Sequence, residues 1–281
     1  MNKDCQKVDD ILIPGLLAVE ENFLVAYKPP RMHSAPRSLS SGDNLLEFCA
    51  GYFPEIMDLQ GRMPGDGGLL HRLDFETHGL LLVARTTPGM EALLRLQDEG
   101  KIVKEYSAIA MKTVSAQQGF PPEGPKIPAL LPSGYLSGDA DKLKVAGQFI
   151  IESAFRPYGK GRKAVRPVAL GDGNGIFPGK ARKTHDIARD RGRPYLTEIL
   201  RMGNPELHLC PISLRIYRGF RHQIRSHLAW MKMPILNDNL YGGNPYGKGL
   251  LALRACSIAF NDPFTGRNRL FSIDSLEPQA L

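Results

Sequence analysis

The chain has only four cysteines and one tryptophan in 281 residues. Cys5, Cys49, Cys210 and Cys256 stand far apart with no CxxC pair. That spacing argues against a zinc knuckle or a small disulfide scaffold and points to a reducing, cytoplasmic setting. No run approaches the roughly 18 uninterrupted apolar residues that a membrane span needs. The opening MNKDCQKVDDILIPG has no apolar core of the signal-peptide kind. There is no internal repeat. What remains, at 42% apolar and 23% charged, is a chain long enough to bury a sizeable core as one large or two small domains.

Charge is the first positive signal. The formal net charge is +7, and it is concentrated. Between Arg156 and Arg193 lie eleven basic residues against three acids, which leaves the rest of the chain slightly acidic. An isolated run of this kind can be a solvated loop. It can also track phosphates, because lysine and arginine on a nucleic-acid backbone gain affinity by releasing counterions.

Short apolar runs alternate with a few helical patterns. Phe23–Tyr27 reads as a strand stopped at Lys28-Pro29-Pro30, and Gly79–Ala84 as a strand buried on both faces. A helix is expected near Asn44–Phe53 with Asp43 as its cap, and a clearer one opens at Thr87-Pro88 and closes at Gly100. Lys101–Ala110 alternates as a strand with Lys104, Tyr106 and Ala108 on one side. Leu207–Tyr217 alternates likewise, Arg221–Met231 reads as a helix, and Leu250–Leu253 and Cys256–Phe260 as strands. Between about 117 and 195 the pattern dissolves into Pro, Gly and basic residues, with only Phe149–Ile151 suggesting a strand. Strands interleaved with few helices and no regular βα alternation predict an α+β fold with a mixed, mainly antiparallel central sheet and flanking helices.

Two polar clusters could carry chemistry. In Gly68–Val83 the residues His71, Arg72, Asp74, Glu76, Thr77 and His78 sit between two apolar strands. Asp74 and Thr77 could simply cap a turn; alternatively a carboxylate is being fixed by rigid strands at the mouth of a cleft. In Arg218–His227, Arg218, Arg221 and Arg225 gather around a helix start, where free N–H groups favour anions. A solvent-facing helix end is the plain alternative there. His222 and His227 lack the i,i+4 spacing of a zinc-binding HExxH helix, so no metal site is expected.

Three ordered blocks resemble the RluA family of RNA pseudouridine synthases. His71-Arg72-Leu73-Asp74-Phe75-Glu76-Thr77-His78-Gly79-Leu80-Leu81-Leu82 is similar to the family's HRLDxxTSGLLL. Arg221–Leu228 with Pro234-Ile235 and Asp238–Gly242 is similar to HQIRxHL and PIxGDxLYG. Leu253-Arg254-Ala255, Phe260–Pro263 and Thr265-Gly266 are similar to the closing LHA and FxHPxTG. Lys28-Pro29 and Lys104-Glu105-Tyr106 are weaker echoes. The matches span residues 22 to 272 apart from the basic stretch. His78 replaces the family's usual Ser, Phe220 and Arg221 replace Arg and Thr ahead of HQIR, and Arg31 replaces a Gly.

The resemblance implies a pseudouridine synthase-like fold with a catalytic cleft across the sheet, and isomerisation of specific uridines in structured ribosomal or transfer RNA by a flipped-base route. It implies residues 1–20 as an N-terminal extension, residues 21–281 as the catalytic domain with a basic insertion at about 117–195, and no S4 domain. Asp74 is then the catalytic carboxylate, Arg225 the cation beside it, and Tyr106 the ring stacked on the uracil, with the C5 proton within its reach. His71, Arg72, Thr77, Arg221, His222, Gln223 and Leu253 are the expected substrate-binding residues. Arg162, Lys163, Arg182 and Lys183 would grip the RNA backbone. A redox-neutral rearrangement that keeps every atom implies no cofactor and no metal. A carboxylate could act as nucleophile at C1′ or as base at the 2′ position, and the sequence leaves both open.

The expected partner is an RNA stem-loop, with no membrane, and the protein is expected to be a cytoplasmic monomer. An RNA-binding protein that has lost activity is the competing reading, against which Asp74, Tyr106 and Arg225 all stand. A small-molecule hydrolase fails on its missing nucleophile and metal patterns.

Overall fold

The computed structural model describes residues 12–36, 43–114, 117, 119–121, 149–168, 192–204 and 208–275. The chain divides into two compact units, Met1–Ser107 with Leu253–Ala280, and Ala108–Ala252. The described strands are β1 (Gly15–Val19), β2 (Phe23–Lys28), β3 (His78–Ala84), β4 (Val103–Ala110), β5 (Phe149–Tyr158), β6 (Ala164–Val168), β7 (Tyr195–Met202), β8 (Cys210–Ile216), β9 (Leu253–Asn261) and β10 (Asn268–Ser272). The α-helices are α1 (Leu45–Ala50), α2 (Thr87–Asp98) and α3 (Gln223–Trp230).

In the first unit β1 pairs with β2, β2 with β3 and β10 with β9, all antiparallel, whereas β3 and β9 run parallel at His78↔Arg254 and Gly79↔Ala255. Every residue of β2 and β3 is buried, as their unbroken apolar runs require. One face, Phe23, Val25 and Tyr27 with Leu80 and Leu82, packs on Met90 and Leu93 of α2 and on Ile258 and Phe260 of β9. Helix α2 starts where the sequence places it. The Thr86 hydroxyl accepts from the Gly89 amide at 3.1 Å, Pro88 occupies the first turn, and Gly100 takes the left-handed φ of +71° beyond the last turn. The cap of α1 is Asn44, whose Oδ1 accepts from the Glu47 amide at 3.0 Å, and not Asp43.

In the second unit β8, β7, β5 and β6 pair antiparallel in that order. The mixed, mainly antiparallel arrangement expected from the sequence is present. Its strand count is higher: β1 falls inside the expected N-terminal extension, β6 and β7 inside or at the edge of the basic stretch, and β10 follows the Asn261–Gly266 turn. These strands are short or broken by Arg and Pro, so each pairs through its backbone without showing period-two alternation. β9 begins only at Leu253, so the strand expected at Leu250–Leu253 does not form, and the buried Arg254 is the second residue of the strand expected at Cys256–Phe260. Arg182 and Lys183 lie outside the described residues.

Candidate active site

The Asp74 loop is held from both sides. The Ser34 hydroxyl donates to the Leu73 carbonyl at 2.9 Å and accepts from the Leu73 amide at 3.0 Å. Past the aspartate, the Lys28 ammonium donates to the carbonyls of Pro29 and Met32, both at 2.8 Å, and to that of Phe75 at 3.4 Å. The Thr77 amide closes the turn onto the Asp74 carbonyl at 3.1 Å. Phe75, partly exposed, rests against His33 at 4.6 Å between ring centroids. Asp74 itself is half-buried. A carboxylate on a loop fixed by neighbouring backbone contacts loses little entropy on reaching a working geometry.

Lys28 is fully buried at the end of β2. Burial pushes its ammonium down to about 7, against the pull of the Asp74 and Glu76 carboxylates, which raises it. Lys104 is likewise buried on β4 and is lowered to about 8 by burial and by Arg62. Tyr106, two residues on, is buried, and its phenol is pushed well above the ordinary tyrosine value by burial first, then by Asp74 and Cys256. The Tyr106 phenol is therefore neutral at physiological pH and sits within the electrostatic reach of Asp74.

His71 uses Nε2 to accept from the Leu82 amide at 3.4 Å, and its pKa is lowered well below the usual histidine value by burial and by Lys104. Arg72 is half-exposed, and its guanidinium is held by Asp66, with Nε donating to Oδ1 at 2.6 Å. Thr77, His78 and Leu253 are buried. The Thr77 hydroxyl and both ring nitrogens of His78 have no hydrogen-bond partner among the described residues. Burial, with Arg254 and Lys28 nearby, lowers His78 to about 3, so its ring is neutral. Gly79 admits no side chain: its φ is +124°, and a Cβ there would meet the Ala255 carbonyl oxygen at 2.3 Å.

The remaining expected residues lie in the second unit. Arg225 is buried in α3 and forks onto Asp238, Nε to Oδ2 and Nη2 to Oδ1, each at 2.8 Å. Its guanidinium carbon lies 5.5 Å from the Tyr241 ring centroid. His222 takes a left-handed backbone at the start of α3, and its Nδ1 lies 3.2 Å from the Tyr241 hydroxyl. That hydroxyl in turn donates to the Val165 carbonyl and accepts the Val165 amide.

Gln223 is also in this unit. Its amide is buried and engaged internally, donating to the Leu196 carbonyl and Thr197 hydroxyl and accepting from the Phe220 amide. Arg221, Arg162 and Lys163 are exposed, and Arg221 Nη2 donates to the Arg162 carbonyl at 2.9 Å.

Sequence reading missed Ser34 and Asp66 altogether and gave Lys28 and Asp238 no role of their own. Lys28 carried a signal, a lysine ending an otherwise wholly apolar strand. Ser34 carried none.

Residues 22–230 match the RNA pseudouridylate synthase family. The chain belongs to this family, in its RluA branch. It is 25% identical over 234 residues to ribosomal large subunit pseudouridine synthase D of Yersinia pestis, covering 83% of this chain and 54% of that protein. It is 26% identical over 226 residues to the protein of the same name from Pasteurella multocida, covering 80% and 52%. The chain thus spans about half the length of these curated relatives.

Among solved structures, human RNA pseudouridylate synthase domain containing 1 superposes with a TM-score of 0.56 at 16% identity, over 96% of this chain and 86% of that one. Human RNA pseudouridylate synthase domain containing 4 does so at 0.56 and 15%, over 93% and 88%. Both support the fold. No helix among the described residues is long and apolar enough to cross a membrane.

Proposed function

We propose that the chain isomerises uridine to pseudouridine in structured RNA, with Asp74 as the catalytic carboxylate. The observation that carries this reading is the Asp74 loop, fixed by Ser34 at Leu73 and by Lys28 at Phe75, with the neutral phenol of Tyr106 close enough for the carboxylate to perturb it. The names of the bacterial relatives favour large-subunit ribosomal RNA over transfer RNA as the substrate. A cytoplasmic setting and a monomeric protein go with that reading.

The reaction breaks the N1–C1′ bond, rotates the uracil and forms the C5–C1′ bond; C5 loses a proton and N1 gains one. No electron is gained or lost. A carboxylate serves either as nucleophile at C1′ or as base for the 2′ proton. Arg225, forked onto Asp238, is the catalytic cation that the family resemblance implies. Tyr106 offers its ring face to the uracil. A protonated phenol cannot take the C5 proton without giving up its own, so Tyr106 acts there by relay and not as a standing phenolate.

The target base must leave its stack, at a cost of about a few kcal/mol. Arg72, half-exposed and steadied by Asp66, is the residue assigned to holding the opened strand in this reading. The exposed Arg162, Lys163 and Arg221 supply cations for the backbone.

The test is tritium release from 5-tritiated uridine in ribosomal and transfer RNA fractions. Wild-type protein should release tritium from the ribosomal fraction, and Asp74→Asn should not while still binding RNA. Equal release by both proteins, or none by either, overturns the proposal.

A further inference from the structure

Four aromatic rings of the second unit run from its interior to its surface. His227 is fully buried, with Nε2 2.9 Å from the Ser153 hydroxyl and Nδ1 2.8 Å from that of Thr197. Its ring meets Phe155, also fully buried, at 4.9 Å. Phe155 stacks on Phe220 with centroids 5.2 Å apart and planes within 11°. Tyr195 completes a triangle, 5.1 Å from Phe220 and 5.8 Å from Phe155. The two outer rings, Phe220 and Tyr195, are only half-buried.

This shelf is built and not incidental. Gln223 ties the Phe220 amide to the Leu196 carbonyl, next to Tyr195 on the same strand, so both outer rings are positioned by one buried side chain. Phe155 supports them from below. The residue after Phe220, Arg221, is exposed and reaches the turn between β5 and β6, where Lys160, Arg162 and Lys163 are exposed as well. Two partly exposed rings inclined at 38° to one another, with cations beside them, have the composition that binds single-stranded nucleic acid. Rings take base faces, whatever the base, and cations take phosphates.

We infer that Phe220 and Tyr195 form a stacking platform for an unpaired base of the RNA substrate, separate from the uridine that reacts, with Arg221, Arg162 and Lys163 on the flanking phosphates. The inference rests on the RNA reading above and adds a base-binding subsite to it. An arginine at position 220 would hold a phosphate; phenylalanine there exchanges that charge contact for a base contact. The platform should therefore favour a strand with bases over one without, and should tolerate any base.

Two probes test this by fluorescence anisotropy: a short fluorescein-labelled oligouridylate and an abasic ribose-phosphate strand of equal length. Wild-type protein should bind the first about tenfold more tightly. Phe220→Leu and Tyr195→Leu should each remove most of that preference, and Phe220→Trp should keep it. Arg162→Gln and Arg221→Gln should weaken both strands alike and flatten the salt dependence.

Equal binding of the two strands by wild type, or a full base preference in a Phe220→Leu variant that melts like wild type, overturns the inference. Should Phe220→Leu fail to fold, photocrosslinking of 4-thiouridine-substituted oligouridylate to wild-type protein decides it. Adducts at Phe220 or Tyr195 support the platform, and adducts only elsewhere overturn it. Tritium release from ribosomal RNA by the same wild-type preparation reports the isomerase reading independently, so the two can fail separately.

Discussion

Ser34 and Leu73 exchange two hydrogen bonds through a single hydroxyl, which donates to the Leu73 carbonyl at 2.9 Å and accepts its amide at 3.0 Å. Both groups are buried, and Leu73 immediately precedes Asp74. Removing the hydroxyl strands a buried carbonyl and a buried amide, at about 1–3 kcal/mol for each unsatisfied group before relaxation. Ser34→Ala should cost about 2 kcal/mol in denaturant unfolding. If Ser34 positions the catalytic loop, kcat should fall at least tenfold with KM little changed, and an unchanged kcat would show that the loop keeps its geometry without it.

Lys28 gives a prediction with a sign. Its pKa is depressed from 10.5 to about 7 in the folded chain, so between those values the unfolded chain binds more protons and stability rises with pH. The penalty for burying the ammonium is fully present below about pH 7 and is relieved as pH climbs toward 10.5. Lys28→Met removes that penalty, so its stability should exceed wild type at pH 6 and the gap should close by pH 10, as read by urea midpoints. Activity should move the other way, because the Phe75 carbonyl loses its donor. A variant less stable than wild type at pH 6 would mean that the three carbonyl bonds outweigh the desolvation.

His227 links α3 to β5 and β7 through two hydroxyls, and burial lowers its pKa to about 3. The folded chain refuses a proton that the unfolded chain accepts below about 6.5, so stability is lost as pH falls from 6.5 toward 3. His78, also near 3, contributes with the same sign. His227→Leu should flatten part of this acid limb. At neutral pH it should cost about 2–4 kcal/mol, since Ser153 and Thr197 lose a buried partner. An acid limb as steep as wild type would place the proton uptake elsewhere.

The Arg225 and Asp238 pair is forked and almost wholly buried, at 3% and 0% side-chain exposure. Breaking it from one side leaves an uncompensated buried charge, at about 3–5 kcal/mol. Asp238→Asn should therefore lower the thermal midpoint far more than Asp74→Asn does. Comparable midpoints for the two variants would mean that Arg225 finds another anion.

The Asp74 loop and the elements around it were largely legible in the sequence. The apolar runs of β2 and β3, the Thr86 and Pro88 start of α2, and the dense polar cluster between strands all have local causes. Ser34, Asp66 and Asp238 were not read as partners because nothing local marks them: each acts on a residue distant in sequence or on its own turn. The motif of Gln223 gave no sign of its internal contacts, in which its amide nitrogen donates to Leu196 and Thr197 of β7 and its oxygen accepts from the Phe220 amide. β6 escaped because Arg166 and Pro167 interrupt its apolar run, and β7 because Thr197, Glu198 and Ile199 are buried in succession and show no alternation.

The parallel contact of β3 with β9, where Gly79 lies too close to Ala255 for any side chain, has a consequence in time. The unit that holds Asp74 cannot be completed until residues 253–272 have left the ribosome, long after the Asp74 loop has been synthesised. Until then the His78–Gly79 end of β3 has an open edge, and the pairing of residue 78 with residue 254 is a high-contact-order event. The nascent chain thus spends most of its synthesis with Asp74 present but the adjoining end of β3 unpaired on one side. A chain truncated before residue 253 should expose an aggregation-prone edge.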